Sequence, residues 1–164
     1  MIHVYTGNGK GKTTAAFGLA LRAAGRGKKV VIIQWMKKGD YGEISAMKKL
    51  GIEVEQFGRS EFVDIDNPAE ADFEQAEMAL KRAMEAVSQC DLLILDEINV
   101  ALYFGLIGLK EVIEIMKRSE GIELVLTGRN ARDEVVDAAD YVTEMREIKH
   151  PYTKGVSARE GVEY

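Results

Sequence analysis

The segment Thr6-Gly7-Asn8-Gly9-Lys10-Gly11-Lys12-Thr13-Thr14 holds the densest set of groups in the chain for gripping an anion. Its glycines let backbone N–H groups converge on a phosphate without Cβ clashes. A helix starting behind them adds the partial positive charge of its N-terminus. Lys12 is a mobile point charge for the outer phosphates, and the Thr13 hydroxyl is placed as an oxygen ligand for Mg²⁺. Gly7, Asn8, Gly9, Lys10, Gly11, Lys12, Thr13 and Thr14 are therefore the candidate contacts of a nucleoside triphosphate. The loop is a variant of the common form: the position that usually carries its first glycine is Thr6, and Gly7 comes one residue late.

A second set of groups follows the apolar run DLLIL. Asp96 and Glu97 form a carboxylate pair at the end of what reads as a buried strand. Such a pair complements a phosphate loop, because Mg²⁺ takes hard oxygen ligands, keeps several waters and uses only one or two carboxylates. Thr13, Asp96 and Glu97 are the candidate metal ligands, and the sequence leaves open which carboxylate holds the ion and which orients a water. Arg129, in Thr127-Gly128-Arg129, follows the next strand and is either a phosphate contact or a solvated turn residue. Arg22 reaches a phosphate only if the ligand wraps back along the first helix. His3, inside the first strand, reads as a packed histidine, Trp35 as core and Cys90 as a buried thiol. The polar loop at 58–67 carries Phe62 and Val63, an exposed substrate wall or a satellite packing contact.

These groups need strand ends to hold them, and the rest of the sequence supplies strands. Apolar runs at 29–35, 52–57, 91–95, 122–127 and 141–145 join the opening strand at 2–5. Helical patterns at 42–50, 109–118 and 131–139 lie between them. Another helix is expected to start with Asn67 as N-cap and Pro68 at its first position, with Phe73, Ala76, Leu80, Ala83, Met84 and Val87 on one face. Near-continuous apolar strands alternating with helices predict an α/β fold, a P-loop NTPase-like parallel β-sheet with helices on both faces. No linker or repeat divides residues 1–164, so one domain is expected. Ligands in such sheets bind at the carboxyl ends of the strands. The tail at 146–164 is expected to meander over the sheet edge.

Composition narrows the function classes. The chain has 164 residues, a formal net charge of −5 and a single cysteine. That balance argues against a general nucleic-acid binder, which carries a basic footprint. One cysteine rules out an internal disulfide and a multi-cysteine zinc site. No signal peptide or membrane-length apolar run is apparent, so a cytoplasmic protein without membrane contact is expected.

Together the segments TGNGKGKTTAAFGLALRAAGRG, VVIIQWMKKGDYGE, LLILDEIN, LTGRNARDEVVDAAD and the closing IKHPYTKGV and GVEY resemble the ATP:corrinoid adenosyltransferases of the cobalamin-synthesis type. The resemblance covers nearly the whole chain, and the lysine-rich variant loop is itself typical of that family. It implies transfer of the 5′-deoxyadenosyl group of ATP to the Co(I) of a corrinoid, with triphosphate released. Cob(I)alamin is already a strong nucleophile, so the protein's tasks are alignment and stabilisation of the leaving group. The resemblance gives Lys12 and Glu97 catalytic roles, places Mg²⁺ on Thr13 and Glu97, and makes Arg22 a phosphate contact. It aligns Phe62 with the first aromatic of an apolar wedge that removes the lower axial ligand of cobalt. Two positions on, where some relatives carry tryptophan, stands Asp64, with Val63 and Ile65 as the remaining apolar candidates. The implied partners are ATP, a reduced corrinoid, an electron donor such as a flavoprotein reductase, and a second copy in a homodimer. The chain also begins directly in its first strand, without the N-terminal extension of some relatives.

The competing reading is a P-loop ATPase or switch protein, with Glu97 positioning water and orthophosphate as product. A carrier of adenosylated corrinoid would have no need for both Lys12-Thr13 and Asp96-Glu97.

Overall fold

A computed structural model describes residues 1–39 and 41–162; Asp40, Glu163 and Tyr164, all within the family-like segments, lie outside the described residues. Six strands form one sheet: β1 Ile2–Thr6, β2 Val30–Trp35, β3 Glu53–Phe57, β4 Leu92–Asp96, β5 Glu123–Thr127 and β6 Tyr141–Glu144. Their order is β3-β2-β4-β5-β1-β6, and every pairing is parallel. The connections carry helices α1 Lys12–Ala24, α2 Gly42–Lys49, α3 Glu70–Ala86, α4 Ile98–Tyr103, α5 Leu109–Arg118 and α6 Asp133–Asp137. A 3₁₀ turn, Pro151–Lys154, lies in the tail.

Strand period divides the core between two faces. Val31, Ile33, Trp35, Leu93, Leu95, Leu124 and Leu126 join α3, α4 and α5 in one cluster. Val30, Ile32, Leu92, Ile94 and Val125 pack with Ala16, Phe17 and Ala20 of α1 and Met47 of α2 in the other. This is a P-loop NTPase-like α/β sheet flanked by helices, as the alternation predicts. Among the described residues no helix is long and apolar enough to cross a membrane.

Four expectations change. The third helix starts at Glu70, with Ala69 rather than Asn67 at its N-cap. The reason is Asp72, whose carboxylate accepts the Ala69 N–H at 2.9 Å while its own N–H donates to the Ala69 carbonyl at 2.8 Å. The buried stripe of α3 is Asp72, Ala76, Ala79, Ala83 and Ala86, and Phe73 stays exposed. Small residues suit a helix seated on Trp35, which is fully buried and donates its indole N–H to the Ala76 carbonyl. Helix α4 has no counterpart in the sequence reading. Ile98, Asn99, Ala101 and Leu102 are all buried, so the polar face that signals a helix is missing.

The fourth change concerns the tail, which crosses the phosphate loop. β6 runs parallel to β1 with Thr6 opposite Glu144, so the chain leaves β6 at the end where it leaves β1. The Gly9 N–H then donates to the Met145 carbonyl at 2.6 Å. A Cβ at Gly9 would stand 2.7 Å from that oxygen, so only glycine permits the crossing.

Candidate nucleotide and metal site

The carboxyl ends of β1, β4 and β5 open onto a cleft of about 860 Å³. Residues 8–14 line it, together with Lys37, Glu97, Arg129 and parts of the tail at His150 and Val162. Three of the strand-end groups singled out from sequence are thus brought together: the loop, Glu97 and Arg129.

Loop and helix meet at Lys12, the first residue of α1, which is buried. Its Nζ donates to the carbonyls of Gly7 at 2.7 Å and Gly9 at 2.8 Å. An ammonium has three donors, so these two bonds orient it without exhausting it. Burial lowers its pKa, and Arg129 adds to that while Glu97 and Asp96 work against it. Lys10 is held differently, its Nζ donating to the Val162 carbonyl of the tail at 2.9 Å.

Asp96 is the hub behind the cleft. Its carboxylate is fully buried and takes four donors. Oδ1 accepts from Thr13 at 2.9 Å and Thr127 at 2.7 Å, and Oδ2 from Gln34 and Lys37, both at 2.8 Å. Sheet register explains the gathering. Gln34 stands beside Asp96 across β2 and β4, and Gln56 beside Gln34 across β3 and β2. Gln56 donates to Gln34 at 3.1 Å, which extends the polar row to the sheet edge. Burial alone would raise the Asp96 pKa, but the Lys37 ammonium and the bonds from Lys37, Thr127 and Gln34 hold it below the ordinary carboxylate range.

Glu97 behaves in the opposite sense. It leaves β4 with φ 64, a left-handed turn that caps α4, and its N–H donates to the Thr127 hydroxyl at 3.0 Å. The turn sends its side chain to the cleft while Asp96 stays inside. Burial and then the neighbouring Asp96 raise its pKa, against the pull of Lys37 and Lys12. Thr13 and Glu97 therefore face the cleft, with Asp96 behind the Thr13 hydroxyl.

The remaining candidates separate. Arg22 is exposed on α1, outside the cleft lining and close enough to Tyr5 to influence its phenol. Phe62 is wholly exposed (101%) and lies outside the cleft lining. Val63 packs against the main core, which leaves Phe62 and Ile65 as the outward apolar side chains of that loop. His3 stacks on Tyr141 and bonds Glu123 at 2.8 Å, a packed residue. The Cys90 thiol bonds the Ala86 carbonyl, and burial pushes its pKa up to about 11. Sequence reasoning missed Lys37, Gln34, Gln56 and Thr127 as parts of the polar network. Two of them had a signal: Thr127, a hydroxyl at the end of a buried strand, and Gln34, the one polar residue in the apolar run at 30–35.

Comparison with known proteins gives a consistent answer. The chain matches the family described as ATP:corrinoid adenosyltransferase BtuR/CobO/CobP over residues 1–164. It is similar to the corrinoid adenosyltransferase of Escherichia coli strain K12, at 36% identity over 169 residues covering 100% of this chain and 85% of that protein. A corrinoid adenosyltransferase of Pseudomonas aeruginosa is 37% identical over 166 residues, 98% of this chain and 82% of its own. Corrinoid adenosyltransferase CobA of Salmonella typhimurium is 37% identical over 170 residues, 100% of this chain and 85% of its own.

Proposed function

Since the chain belongs to the ATP:corrinoid adenosyltransferase family and is a transferase acting on corrinoids with ATP, we propose the following reaction for it. The 5′-deoxyadenosyl group of ATP passes to the Co(I) of a corrinoid, residues 1–164 acting as one domain. The cobalt electron pair forms the Co–C5′ bond, the C5′–O bond breaks, and triphosphate leaves with that bonding pair. The observation that carries this reading is a single cleft lined by the glycine-lysine-threonine loop and by Glu97, with the Thr13 hydroxyl already tied to Asp96 at 2.9 Å.

The donor set fits Mg²⁺. Thr13 donates its hydroxyl hydrogen bond to Asp96, which turns its oxygen lone pairs toward a cation, and Glu97 adds a carboxylate at the cleft surface. Among the described residues no group of three or more His, Cys, Asp or Glu side chains is arranged to hold a metal. That suits an ion that takes one or two carboxylates and completes its shell with phosphate and water. When bound, Mg²⁺ neutralises charge on the departing triphosphate. Lys12 and the N–H groups of residues 8–14 bind the same phosphates, joined by Arg129, which lines the same cleft. Because the nucleophile is the cobalt itself, these residues act by alignment and by stabilising the leaving group. Arg22 enters only when the nucleotide extends along α1. Phe62 is the apolar wedge that strips the lower axial ligand and eases reduction to Co(I). A flavoprotein-type reductase supplies the electron in the cytoplasm, and a homodimer encloses the corrinoid.

The test is anaerobic incubation with Mg-ATP and chemically reduced cobalamin, following the cobalt–carbon absorbance and identifying the phosphate product. Adenosylated corrinoid with triphosphate is expected. Orthophosphate without adenosylation would make the same cleft an ATPase site.

A further inference from the structure

Lys37 lines the cleft, and its Nζ lies 2.8 Å from Asp96 Oδ2, 3.4 Å from the Thr13 hydroxyl and 3.9 Å from Glu97 Oε1. One ammonium thus binds the buried Asp96 and stands within 4 Å of both groups to which the divalent ion is assigned, Thr13 and Glu97. Its placement is built into the backbone. β2 ends at Trp35, and Met36 then takes φ 57, a left-handed conformation that costs a residue with a side chain about 1 kcal/mol. That turn folds Lys37 back under the cleft. On the other side Gly58 lets its chain press against the turn: a Cβ there would stand 2.5 Å from Lys37 N and 2.7 Å from Met36 C. A strained residue and a glycine-only approach both act to hold one lysine beside Thr13, Asp96 and Glu97.

We propose that Lys37 is an internal cation of this site, which keeps Thr13, Asp96 and Glu97 assembled and yields its place to the divalent ion. Its ammonium then swings onto the polyphosphate. The inference rests on the Mg-nucleotide reading above and adds to it the regulation of metal entry. Three consequences are specific. Lys37 competes with a bare divalent ion, because its ammonium stands 3.4 Å and 3.9 Å from the Thr13 and Glu97 oxygens that the ion would take. It favours an ion that arrives with phosphate, since only phosphate gives the displaced ammonium a new partner. It also adds a second lysine, beside Lys12, on the leaving triphosphate.

The experiment uses Mn²⁺ alone, read by electron paramagnetic resonance of the free ion, and inorganic tripolyphosphate alone, read by titration calorimetry. Wild type, Lys37→Met and Lys37→Arg are compared. Removing a charge at this distance shifts a binding equilibrium about tenfold or more. Lys37→Met is therefore expected to bind bare Mn²⁺ at least that much more tightly, and tripolyphosphate at least that much more weakly, with Lys37→Arg near wild type on both. A residue that only supports the fold would weaken both ligands. Mn²⁺ binding no tighter in Lys37→Met, or tripolyphosphate binding unchanged, overturns the assignment. If Lys37→Met does not fold, Lys37→Gln removes the charge while keeping a donor to Asp96, and it carries the same two readings. Absence of Mn²⁺ binding in every variant, with and without tripolyphosphate, sinks the Mg-nucleotide reading itself; Mn²⁺ binding indifferent to Lys37 sinks only the internal cation.

Discussion

The surroundings of Asp96 and of Phe62 represent two ways of building half a site. Asp96 is fully buried and met by four donors from α1, β2, β5 and the turn after β2. Phe62 is wholly exposed on the loop between β3 and α3. That loop is fixed at its base, where Arg59 bonds Asp72 at 2.7 and 3.1 Å and Val63 packs into the core. The phosphate end is completed by the fold itself, because parallel register sets Gln56, Gln34 and Asp96 side by side. The loop end offers an exposed apolar ring. Preorganisation belongs where charge must be stabilised, and an apolar wedge gains its worth only when a ligand's face covers it.

Breaking the phosphate end is expected to have the largest effect. On the proposed reading Lys12→Ala removes an oriented cation from the leaving group, and adenosyl transfer should fall about 10²- to 10³-fold. Its thermal midpoint should stay near that of wild type. A near-normal rate would remove Lys12 from the mechanism.

The two carboxylates should then part company. Asp96→Asn leaves the Lys37 ammonium without its closest counter-charge in a buried network, at a cost of about 3 kcal/mol in stability. Glu97→Gln keeps the fold, since Glu97's side chain faces the cleft, but lowers Mg²⁺-dependent turnover. Denaturant melts and Mg²⁺ titrations of the two variants separate these outcomes. A destabilised Glu97→Gln beside a stable, metal-defective Asp96→Asn would exchange their roles.

Phe62→Ala sharpens the contrast from the other end. Loss of one buried aromatic contact in the complex lowers the reaction begun from Co(II) by roughly tenfold. The reaction begun from pre-reduced Co(I) should change little, and so should the melting temperature. Equal losses in both assays would end the wedge assignment.

The same contrast governs what could be read before folding. The loop, the Asp96-Glu97 pair and the α/β alternation are local patterns, and a run of residues suffices to display them. Gln34 stands out as the one polar residue of β2, but its link to Gln56 and Asp96 is legible only once parallel register aligns β3, β2 and β4. Lys37 was hidden for a related reason: its placement depends on a left-handed Met36 that no composition signal announces. Helix α4 escaped because its one strongly polar residue, Asn99, is itself buried, which leaves it no polar face to read. The tail's approach to the glycine-rich loop was not legible, because the order β1-β6 at the sheet edge, and not its own composition, carries it there.

The smallest expected effect tests how the Phe62 loop is anchored. Arg59's hydrogen bond to Asp72 lowers the carboxyl's pKa, opposed by burial and aided by the Ala69 N–H. A carboxylate whose pKa is lower folded than unfolded contributes stability above the ordinary Asp range. That contribution is lost as pH falls through the lowered value. Asp72→Asn should therefore cost about 1 kcal/mol near neutral pH, the scale of a lost helix cap, and flatten the stability curve below about pH 4. Melts of both proteins between about pH 7 and pH 3 read this directly. If the anchor matters only to the loop, Asp72→Asn should also slow the Co(II)-initiated reaction while leaving Mn²⁺ binding in the cleft unchanged. Parallel pH curves for variant and wild type would show that Arg59 and Asp72 are not coupled in solution, and Phe62 would then have to be positioned by its ligand alone.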